Sequence, residues 1–353
     1  MKQRIMMVGP TVVPERVLKA MNRPSISHRS PQYMEAHVRV RQGLKKIFQT
    51  ENEVFILTSS GTGAMEAAIQ NCFSFGDEVV VAVLGDFSEQ FAKMAEAFQL
   101  NVKRVVVAPG ERVNVDELMS QVSETTKGVF IIHNESSTGV FNDLEAFGER
   151  LKDTQTLLIV DSVSGAAGLP VKMDEWHIDV LLSSSQKALM TPAGLSFISL
   201  NQKAWSRVET SNIPKYYFDL GKARDFQIKN QTPNTPAVYN VFAVDEALQI
   251  IFEEGYDNVL ARHEANTQRL IAGVKELGYG ILPVEEAAAS RTLTAVTAKG
   301  KAKKIVEFLQ SEGIIVNGGL GNLAEDMFRV GIMGYVLPED VDAFLSVLAK
   351  FED

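Results

Sequence analysis

Short runs of apolar, largely β-branched residues recur through the first two thirds of this chain of 353 residues, and each is followed by a polar turn and a segment with helical spacing. This alternation is typical of an α/β fold built on a largely parallel sheet. It predicts seven strands in one sheet, at residues 54–57, 79–83, 102–107, 128–132, 157–160, 180–182 and 195–199. Crossover helices are predicted at residues 64–72, 89–98, 115–122 and 144–151, with Asn114 and Asn142 as N-terminal caps.

The pattern changes after about residue 201. Prolines in Ile213-Pro214 and in the stretch 232–236 cannot lie inside a helix or a central strand, so a long irregular connection is expected there. Beyond it, the spacing predicts helices at 238–254, 261–277, 302–312 and 338–351, and strands at 293–296, 314–316 and 327–332. A chain of this length usually forms more than one core. We therefore predict an N-terminal segment (1–15), a large domain (16–244) and a smaller C-terminal α+β domain (245–353).

Composition argues against several classes of function. The 44 acidic and 35 basic residues give a formal net charge of -9, which disfavours binding to the phosphate backbone of a nucleic acid. The longest apolar runs are far shorter than the roughly 18 residues of a membrane-spanning helix, and the first residues lack the pattern of a signal peptide. Cys72 is the single cysteine, and the five histidines show no metal-ligand spacing. We expect a cytoplasmic protein with no metal, no membrane association and no nucleic-acid partner.

Two charged residues follow predicted strands. Asp161 comes directly after the apolar run 157–160, and Lys187 comes shortly after the run 180–182. Open α/β sheets bind ligands at the carboxyl ends of their strands. Taken alone, Asp161 could cap a helix and Lys187 could be an ordinary solvated side chain. Because the two residues are separated by about one helix and one strand, we expect them to lie at neighbouring strand ends.

That pair suits pyridoxal phosphate. A lysine can form a Schiff base with the aldehyde of this cofactor, and a carboxylate can keep the pyridine nitrogen protonated so that the ring accepts electrons. The turn Ser59-Ser60-Gly61-Thr62-Gly63 lies between a predicted strand and a predicted helix, where backbone N–H groups and hydroxyl groups can bind a phosphate. Such a turn alone is more often a plain connection, but three suitable parts at three strand ends form a specific pattern.

The chain resembles a known family over nearly its whole length. The motifs that carry the resemblance are Gly9-Pro10-Thr11, Ser27-His28-Arg29-Ser30, Ser60-Gly61-Thr62-Gly63-Ala64-Met65-Glu66-Ala67, Glu135-Ser136-Ser137-Thr138-Gly139, Val160-Asp161-Ser162-Val163, Ser185-Gln186-Lys187-Ala188, Gly318-Gly319-Leu320-Gly321 and Phe328-Arg329-Val330-Gly331. They are similar to those of the class V aminotransferases, nearest the alanine-glyoxylate and serine-pyruvate branch. The resemblance implies a fold type I transferase whose large domain binds pyridoxal phosphate.

The resemblance also implies roles for individual residues. Lys187 would carry the cofactor and Asp161 would face its pyridine nitrogen. The phosphate would be held by Ser60, Gly61, Thr62 and Gln186, with Thr232 and Thr235 reaching the phosphate of the neighbouring subunit of a homodimer. Phe87 would stack on the ring and Ser136 would contact its 3'-oxygen side. Arg329 would bind the substrate carboxylate, although a structural salt bridge is as plausible from the residue alone, and Gly9 would lie in a turn on the substrate side.

The expected reaction is transfer of an amino group from a small donor, alanine or serine, to glyoxylate or pyruvate. Arg29 leaves other donors open, because the stretch 27–30 also resembles the part of phosphoserine aminotransferases that holds a substrate phosphate; aspartate and 2-aminoethylphosphonate are further alternatives. Arg29 could equally pair with an acid at the dimer interface.

A desulfurase or lyase of this fold is disfavoured because Cys72, the only candidate nucleophilic thiol, falls inside a predicted helix. A binding or scaffold protein on the same fold is the non-enzyme alternative.

Overall fold

The computed structural model describes residues 3–352. Its strands, in chain order, are β1 (Arg4–Ile5), β2 (Val54–Leu57), β3 (Glu78–Val83), β4 (Asn101–Val106), β5 (Thr126–Ile132), β6 (Asn134–Glu135), β7 (Val140–Phe141), β8 (Leu157–Asp161), β9 (Val180–Ser184), β10 (Ser196–Leu200), β11 (Gly280–Ile281), β12 (Leu293–Thr297), β13 (Ile314–Ile315), β14 (Asn317–Gly318) and β15 (Met327–Gly331).

Its α-helices, again in chain order, are α1 (Glu15–Met21), α2 (Pro31–Phe48), α3 (Gly61–Cys72), α4 (Asp86–Ala97), α5 (Val115–Met119), α6 (Leu144–Leu151), α7 (Gln202–Val208), α8 (Leu220–Gln227), α9 (Val238–Glu254), α10 (Tyr256–Glu276), α11 (Ala302–Ser311) and α12 (Pro338–Leu348).

The central sheet has seven strands in the order β2-β10-β9-β8-β5-β3-β4, which confirms the predicted strands and the predicted α/β class. β10 is antiparallel to both of its neighbours, and the other pairings are parallel. Both faces are covered, so that along β8 the side chains of Leu158 and Val160 join one hydrophobic core while those of Leu157 and Ile159 join the other. Burial on both faces explains why these strands are continuous apolar runs in the sequence.

A second, antiparallel sheet lies in the C-terminal part, in the order β11-β12-β15-β14. α10, α11 and α12 pack with it around a third core that includes Leu270, Ile305 and Phe344. The N-terminal strand β1 pairs in parallel with β13, and Met6 enters the same core. The division into segments 1–15, 16–244 and 245–353 remains a prediction.

Three local expectations were wrong. The connection after residue 201 holds two helices, α7 and α8, whose caps Asn201 and Asp219 accept backbone N–H groups. α10 begins at Tyr256, directly after Gly255, because that glycine, at φ 90°, is the only break between α9 and α10. The cap of α6 is Asp143, which accepts from Ala146 N; Asn142 instead bonds the backbone of neighbouring segments.

Within residues 3–352, no helix is both long and apolar enough to cross a membrane. The cytoplasmic location of the protein remains a prediction.

Candidate active site

The site lies at the carboxyl end of the central sheet. β8 ends on Asp161 and pairs in parallel with β9, and Lys187 follows β9 by three residues. The turn before α3 lies at the same end of the sheet, because β2 runs parallel to β9 with the antiparallel β10 between them. The parallel order of the strands therefore brings the three parts together, as their positions in the sequence predicted.

These parts surround a cavity of about 320 Å³. Its lining residues are Gly9, Pro10, Ser60, Gly61, Thr62, Met65, Phe87, Gln90, Ile132, Asn134, Ser136, Asp161, Val163, Ser164, Gln186, Lys187 and Ala193. A larger cavity of about 720 Å³ lies away from the sheet edge, beside the ion pair between Arg4 and Asp340. Only the smaller cavity combines a buried lysine and a buried carboxylate with a helix N-terminus.

Lys187 is buried and closely surrounded. Its Nζ donates a hydrogen bond of 2.6 Å to the carbonyl oxygen of Val8 and lies 6.0 Å from the ring centroid of Phe87. Burial lowers the pKa of Lys187 to about 8, an effect that the nearby Asp161 partly opposes. Gly9 has φ 118°, and a Cβ atom there would lie 2.7 to 2.8 Å from Cδ, Cε and Nζ of Lys187. A residue larger than glycine at position 9 would therefore displace the side chain of Lys187.

Asp161 is also buried. Its Oδ1 accepts a hydrogen bond of 2.7 Å from the backbone N–H of Val163. Burial raises the pKa of Asp161 to about 7, although the hydrogen bond from Val163 acts in the opposite direction. A positively charged group placed against this carboxylate would hold it in its ionised form.

The N-terminus of α3 faces the cavity. Ser60 occupies the N-cap position, but its side chain makes no capping hydrogen bond, and Gly61 and Thr62 form the first turn. A Cβ atom at Gly61 would lie 2.6 Å from Cγ2 of Val163, so only glycine allows this close approach. The Oε1 atom of Gln186 is buried with no hydrogen-bond partner. A helix N-terminus with free hydroxyl and amide groups is suited to a phosphate.

Phe87 and Ser136 complete the lining, and Arg329 lies just outside it, hydrogen-bonded to Ser136. Phe87 is the second residue of α4, and Ser136 lies in the turn between β6 and β7. Arg329 lies in β15 and is 4% exposed; its Nε donates to Gly318 O and one terminal nitrogen donates to Ser136 O, at 3.0 and 3.1 Å. Burial lowers the pKa of Arg329, and the acidic side chains of Asp86 and Glu135 oppose that effect.

Besides Arg329, three residues with assigned roles lie outside the lining of this cavity. Thr232 and Thr235 line a separate small cavity beside Thr58. Arg29 is exposed, and its guanidinium donates a hydrogen bond of 2.7 Å to the side chain of Gln231. The stretch 230–236 and the residues before α2 are thus joined to each other, and neither reaches the cavity of its own chain.

Several lining residues had no assigned role in the sequence analysis, and Val163 and Asn134 are two of them. Val163 lies two residues after Asp161 and packs against Gly61. Asn134 follows β5 at the same sheet edge; its Nδ2 donates to Ser164 O and Thr292 Oγ1, while its Oδ1 is buried without a partner. Its position just after a buried strand was the signal that could have identified it.

Comparisons with known proteins give the family. The sequence profile described as aminotransferase class-V matches residues 7–344. A protein of Synechococcus sp. named soluble hydrogenase, small subunit, is 38% identical over 98% of this chain and 92% of its own length. The serine–glyoxylate aminotransferase of Arabidopsis thaliana is 33% identical, covering 95% of this chain and 86% of its own. The crystal structure of alanine–glyoxylate aminotransferase from Nostoc sp. superposes with a TM-score of 0.94 at 29% identity, over 99% of this chain and 95% of that one.

The chain belongs to the class V aminotransferases. As a member of this family it is a transaminase that depends on pyridoxal phosphate, with the fold type I architecture. This finding excludes the non-enzyme alternative. The aminotransferase assignment also agrees with the environment of Cys72, the candidate nucleophile of a desulfurase. Cys72 is buried in α3, and burial raises its pKa to about 12, so a reactive thiolate is disfavoured.

The residues present fit the cofactor of this aminotransferase. The uncapped N-terminus of α3 offers backbone N–H and hydroxyl donors for a phosphate at one end of the cavity, where the side-chain NH₂ group of Gln186 could add a further donor. Lys187 and Asp161, both buried, offer an amine for the aldehyde and a carboxylate for the pyridine nitrogen. When bound, pyridoxal phosphate supplies an electron-accepting ring conjugated to the substrate amine.

Proposed function

We propose that this aminotransferase moves the amino group of alanine or serine to glyoxylate or pyruvate. The observation that carries the proposal is the charge of the cavity: Lys187 is the single cationic residue among the described residues that line it, and Arg329 lies just beyond Ser136. One guanidinium suits the α-carboxylate that every amino acid carries, whereas a second acidic group on the donor would find no cation in the same chain. The names of the relatives from Arabidopsis and Nostoc support this choice.

Each proposed role follows from the chemistry of the side chain. Lys187 would hold the cofactor through its amine and, when free, would take the proton from the substrate Cα; burial lowers its pKa to about 8, so that it gives up its own proton more readily than a solvated lysine does. Asp161 holds a proton on the pyridine nitrogen. Arg329 orients the substrate carboxylate, and Phe87 stacks on the ring.

The remaining cofactor contacts are proposed at the phosphate. Ser60, Gly61 and Thr62 bind it with the first turn of α3, and Gln186 adds its side-chain amide. Ser136 contacts the cofactor on its 3'-oxygen side, and Gly9 keeps room for Lys187 beside the substrate. These assignments are supported by the lining of the cavity, in which all of these residues take part.

The working enzyme is proposed to be a homodimer with shared sites. Thr232 and Thr235 lie outside the cavity of their own chain, and the surface near them carries the exposed aromatic residues Tyr216, Tyr217 and Tyr239. An exposed group of large aromatic residues is typical of a surface that another subunit covers. The two threonines then reach the phosphate in the site of the partner subunit.

Acidic donors are the second candidate, and one contact favours them. Arg29 is hydrogen-bonded to Gln231, the residue before Thr232. If the stretch 230–236 serves the site of the partner subunit, Arg29 accompanies it and adds a second guanidinium there. Phosphoserine, aspartate or 2-aminoethylphosphonate would then be the donor.

A panel of donors distinguishes these proposals. The enzyme is mixed with alanine, serine, aspartate, phosphoserine or 2-aminoethylphosphonate in single-turnover reactions, and the absorbance of the bound cofactor is followed. We expect alanine or serine to react fastest and Arg29→Ala to leave that order unchanged. Arg150→Ala is the control, because Arg150 pairs with Asp116 on the surface of α6. A faster reaction with an acidic donor, abolished by Arg29→Ala and retained in the control, would establish the second candidate.

A further inference from the structure

A second buried carboxylate lies beside the cavity. Glu135, the last residue of β6, has no exposed surface, and none of the salt bridges within residues 3–352 includes it. Five donors satisfy its oxygens instead. Oε2 accepts from Ser88 N and Ser88 Oγ, both at 2.9 Å, and Oε1 accepts from Ser137 Oγ at 2.5 Å, Ser137 N at 3.1 Å and Phe87 N at 3.4 Å. These donors offset the cost of burying the carboxylate, and its oxygens act here as acceptors.

The first group of these bonds fixes the start of α4. Phe87 and Ser88 are in the first turn of the helix, where backbone N–H groups lack partners inside the helix and a negative charge is favourable. Glu135 supplies that charge. The residue before the helix, Gly85, makes the approach possible, since a Cβ atom there would lie 2.2 Å from Ser137 Oγ and 2.7 Å from Glu135 Cδ. Glu135 therefore sets the place of the Phe87 ring.

The second group acts on Arg329 through one peptide group. The N–H of the peptide between Ser136 and Ser137 donates to Glu135, and the carbonyl oxygen of the same peptide accepts from the guanidinium of Arg329. The dipole of this peptide lies between a buried anion and a buried cation, so each charge strengthens the other's hydrogen bond. The negative charge of Glu135 also acts on Arg329 over the remaining distance.

We propose that Glu135 is a positioning residue for substrate binding. It holds Arg329 in the orientation that receives the substrate carboxylate and holds Phe87 against the cofactor ring, while touching neither substrate nor cofactor itself. The proposal rests on the proposed function of Arg329 as the group that binds the carboxylate. It assigns to the glutamate of the stretch Glu135-Ser136-Ser137-Thr138-Gly139 a task distinct from that of the neighbouring Ser136.

Glu135→Gln tests the charge with little change in shape. A carboxylate has two acceptor oxygens, whereas glutamine has one acceptor oxygen and one NH₂ group. In the variant, this NH₂ group would face the backbone N–H of either Ser88 or Ser137, so two donors would oppose each other. The peptide between Ser136 and Ser137 then loses its charged partner. Because hydrogen bonds to charged groups contribute more than neutral ones, we expect the holoenzyme to bind propionate, an unreactive carboxylate, about tenfold more weakly in calorimetry.

A double-mutant cycle separates the two proposals. Arg329→Lys alone should weaken propionate binding, and if it does not, the proposed role of Arg329 fails. If it does, Glu135→Gln should weaken binding in the native background and have little further effect in the Arg329→Lys background, because the two residues act through one peptide. Equal effects of Glu135→Gln in both backgrounds, or no effect in the native one, would overturn the positioning role and leave the proposed function intact.

Asp179→Asn is the matched control for general loss of stability. Asp179 is a buried carboxylate that accepts from Leu158 N and Asn201 Nδ2 and pairs with Lys203, just before β9 and so at the opposite edge of the sheet. Its substitution should lower the temperature of unfolding without changing the affinity for propionate. Should Glu135→Gln fail to fold, Ser137→Ala takes its place with a smaller expected loss of affinity in the same direction; it removes the hydroxyl that donates to Glu135 and accepts from Asp86 N.

Discussion

Gly9 controls the position of Lys187, and this gives a prediction for one residue. Gly9→Ala places a methyl group 2.7 Å from Lys187 Cδ, so the lysine must move away from the carbonyl oxygen of Val8. We expect the variant to bind much less cofactor covalently. The measurement is borohydride reduction of the holoenzyme followed by mass spectrometry of the peptide that contains Lys187.

A matched control exists for the backbone strain of this change. Gly76 has φ 82° and open space where a Cβ atom would be, so Gly76→Ala introduces the strain without the contact. Each alanine costs about 1–3 kcal/mol of stability because of its backbone conformation. Only Gly9→Ala should reduce labelling of Lys187, and equal labelling in the two variants would contradict the steric argument.

Asp161→Asn tests the carboxylate that is proposed to face the pyridine nitrogen. An amide of the same size keeps the acceptor for Val163 N, so the variant should fold and retain much of its cofactor. It cannot hold the nitrogen protonated, and we expect the rate of transamination to fall by orders of magnitude. The measurement is the single-turnover rate with alanine; a rate near that of the native enzyme would assign this task to another group.

The shifted pKa values predict how pH affects the stability of the cofactor-free protein. The pKa of Asp161 is raised to about 7 in the folded protein, whereas the reference pKa of an aspartate in the unfolded chain is about 3.9. Between these two pH values the folded state binds more protons than the unfolded chain. The free energy of unfolding therefore decreases as pH rises from about 4 to about 7. The pKa of Lys187 is lowered to about 8 from 10.5, so in that interval the unfolded chain binds more protons and stability rises with pH.

Two variants separate these effects. In urea unfolding across pH, Asp161→Asn should remove the decrease in stability that the native protein shows as pH rises from about 4 to about 7. Lys187→Met should remove the increase in stability above about pH 8. The comparison is made as a difference from the native protein, because the buried residues His37, His133 and His263 titrate in both. Parallel curves for native protein and variant would contradict the assignment.

At the scale of elements, the cap of α6 gives a further prediction. Asp143→Asn should cost almost nothing, because asparagine caps a helix as well as aspartate does. Asn142→Asp should cost more than about 1 kcal/mol, since it replaces the amide that donates to Ile132 O with an acceptor. Urea unfolding measures both changes. Equal losses would mean that Asn142 does share the capping role that the sequence predicted for it.

The elements show which parts of the fold a sequence can predict. The central strands were found because both of their faces are buried, which makes them continuous apolar runs. α2 was missed because its buried face carries the polar residues Tyr33, His37 and Arg41, four residues apart, which conceal the apolar periodicity. The stretch after 201 looked irregular because its prolines lie beside α7 and α8 and not inside them.

The same distinction applies to the candidate site. Lys187 and Asp161 could be located because a charged residue directly after an apolar strand stands out. Glu135 could not, because it lies in a two-residue strand whose pairing with β7 only the folded chain reveals. Contacts that join distant segments, such as Arg329 with Ser136, depend on the packing of the C-terminal sheet against the large one.

At the scale of the whole molecule, the proposed sharing of sites between two subunits predicts complementation between inactive chains. Lys187→Met removes the lysine of one chain, and the double variant Thr232→Ala with Thr235→Ala weakens the site of its partner. In a mixed dimer, one site receives Lys187 from the double variant and both threonines from the Lys187→Met chain. Unfolding and refolding the two variants together should therefore restore activity that neither has alone. Absence of restored activity in verified mixed dimers would show that each chain builds its own site.

The placement of β10 has a consequence for the order in which the molecule is completed. β2 is joined to the rest of the central sheet only through β10, although more than a hundred residues separate the two along the chain. On a ribosome, β2 and the turn that leads into α3 emerge early but have no neighbouring strand until β10 has been synthesised. The turn proposed to bind the phosphate is thus completed after the strands that carry Asp161 and precede Lys187, so we expect a growing chain to take up its cofactor only late in translation.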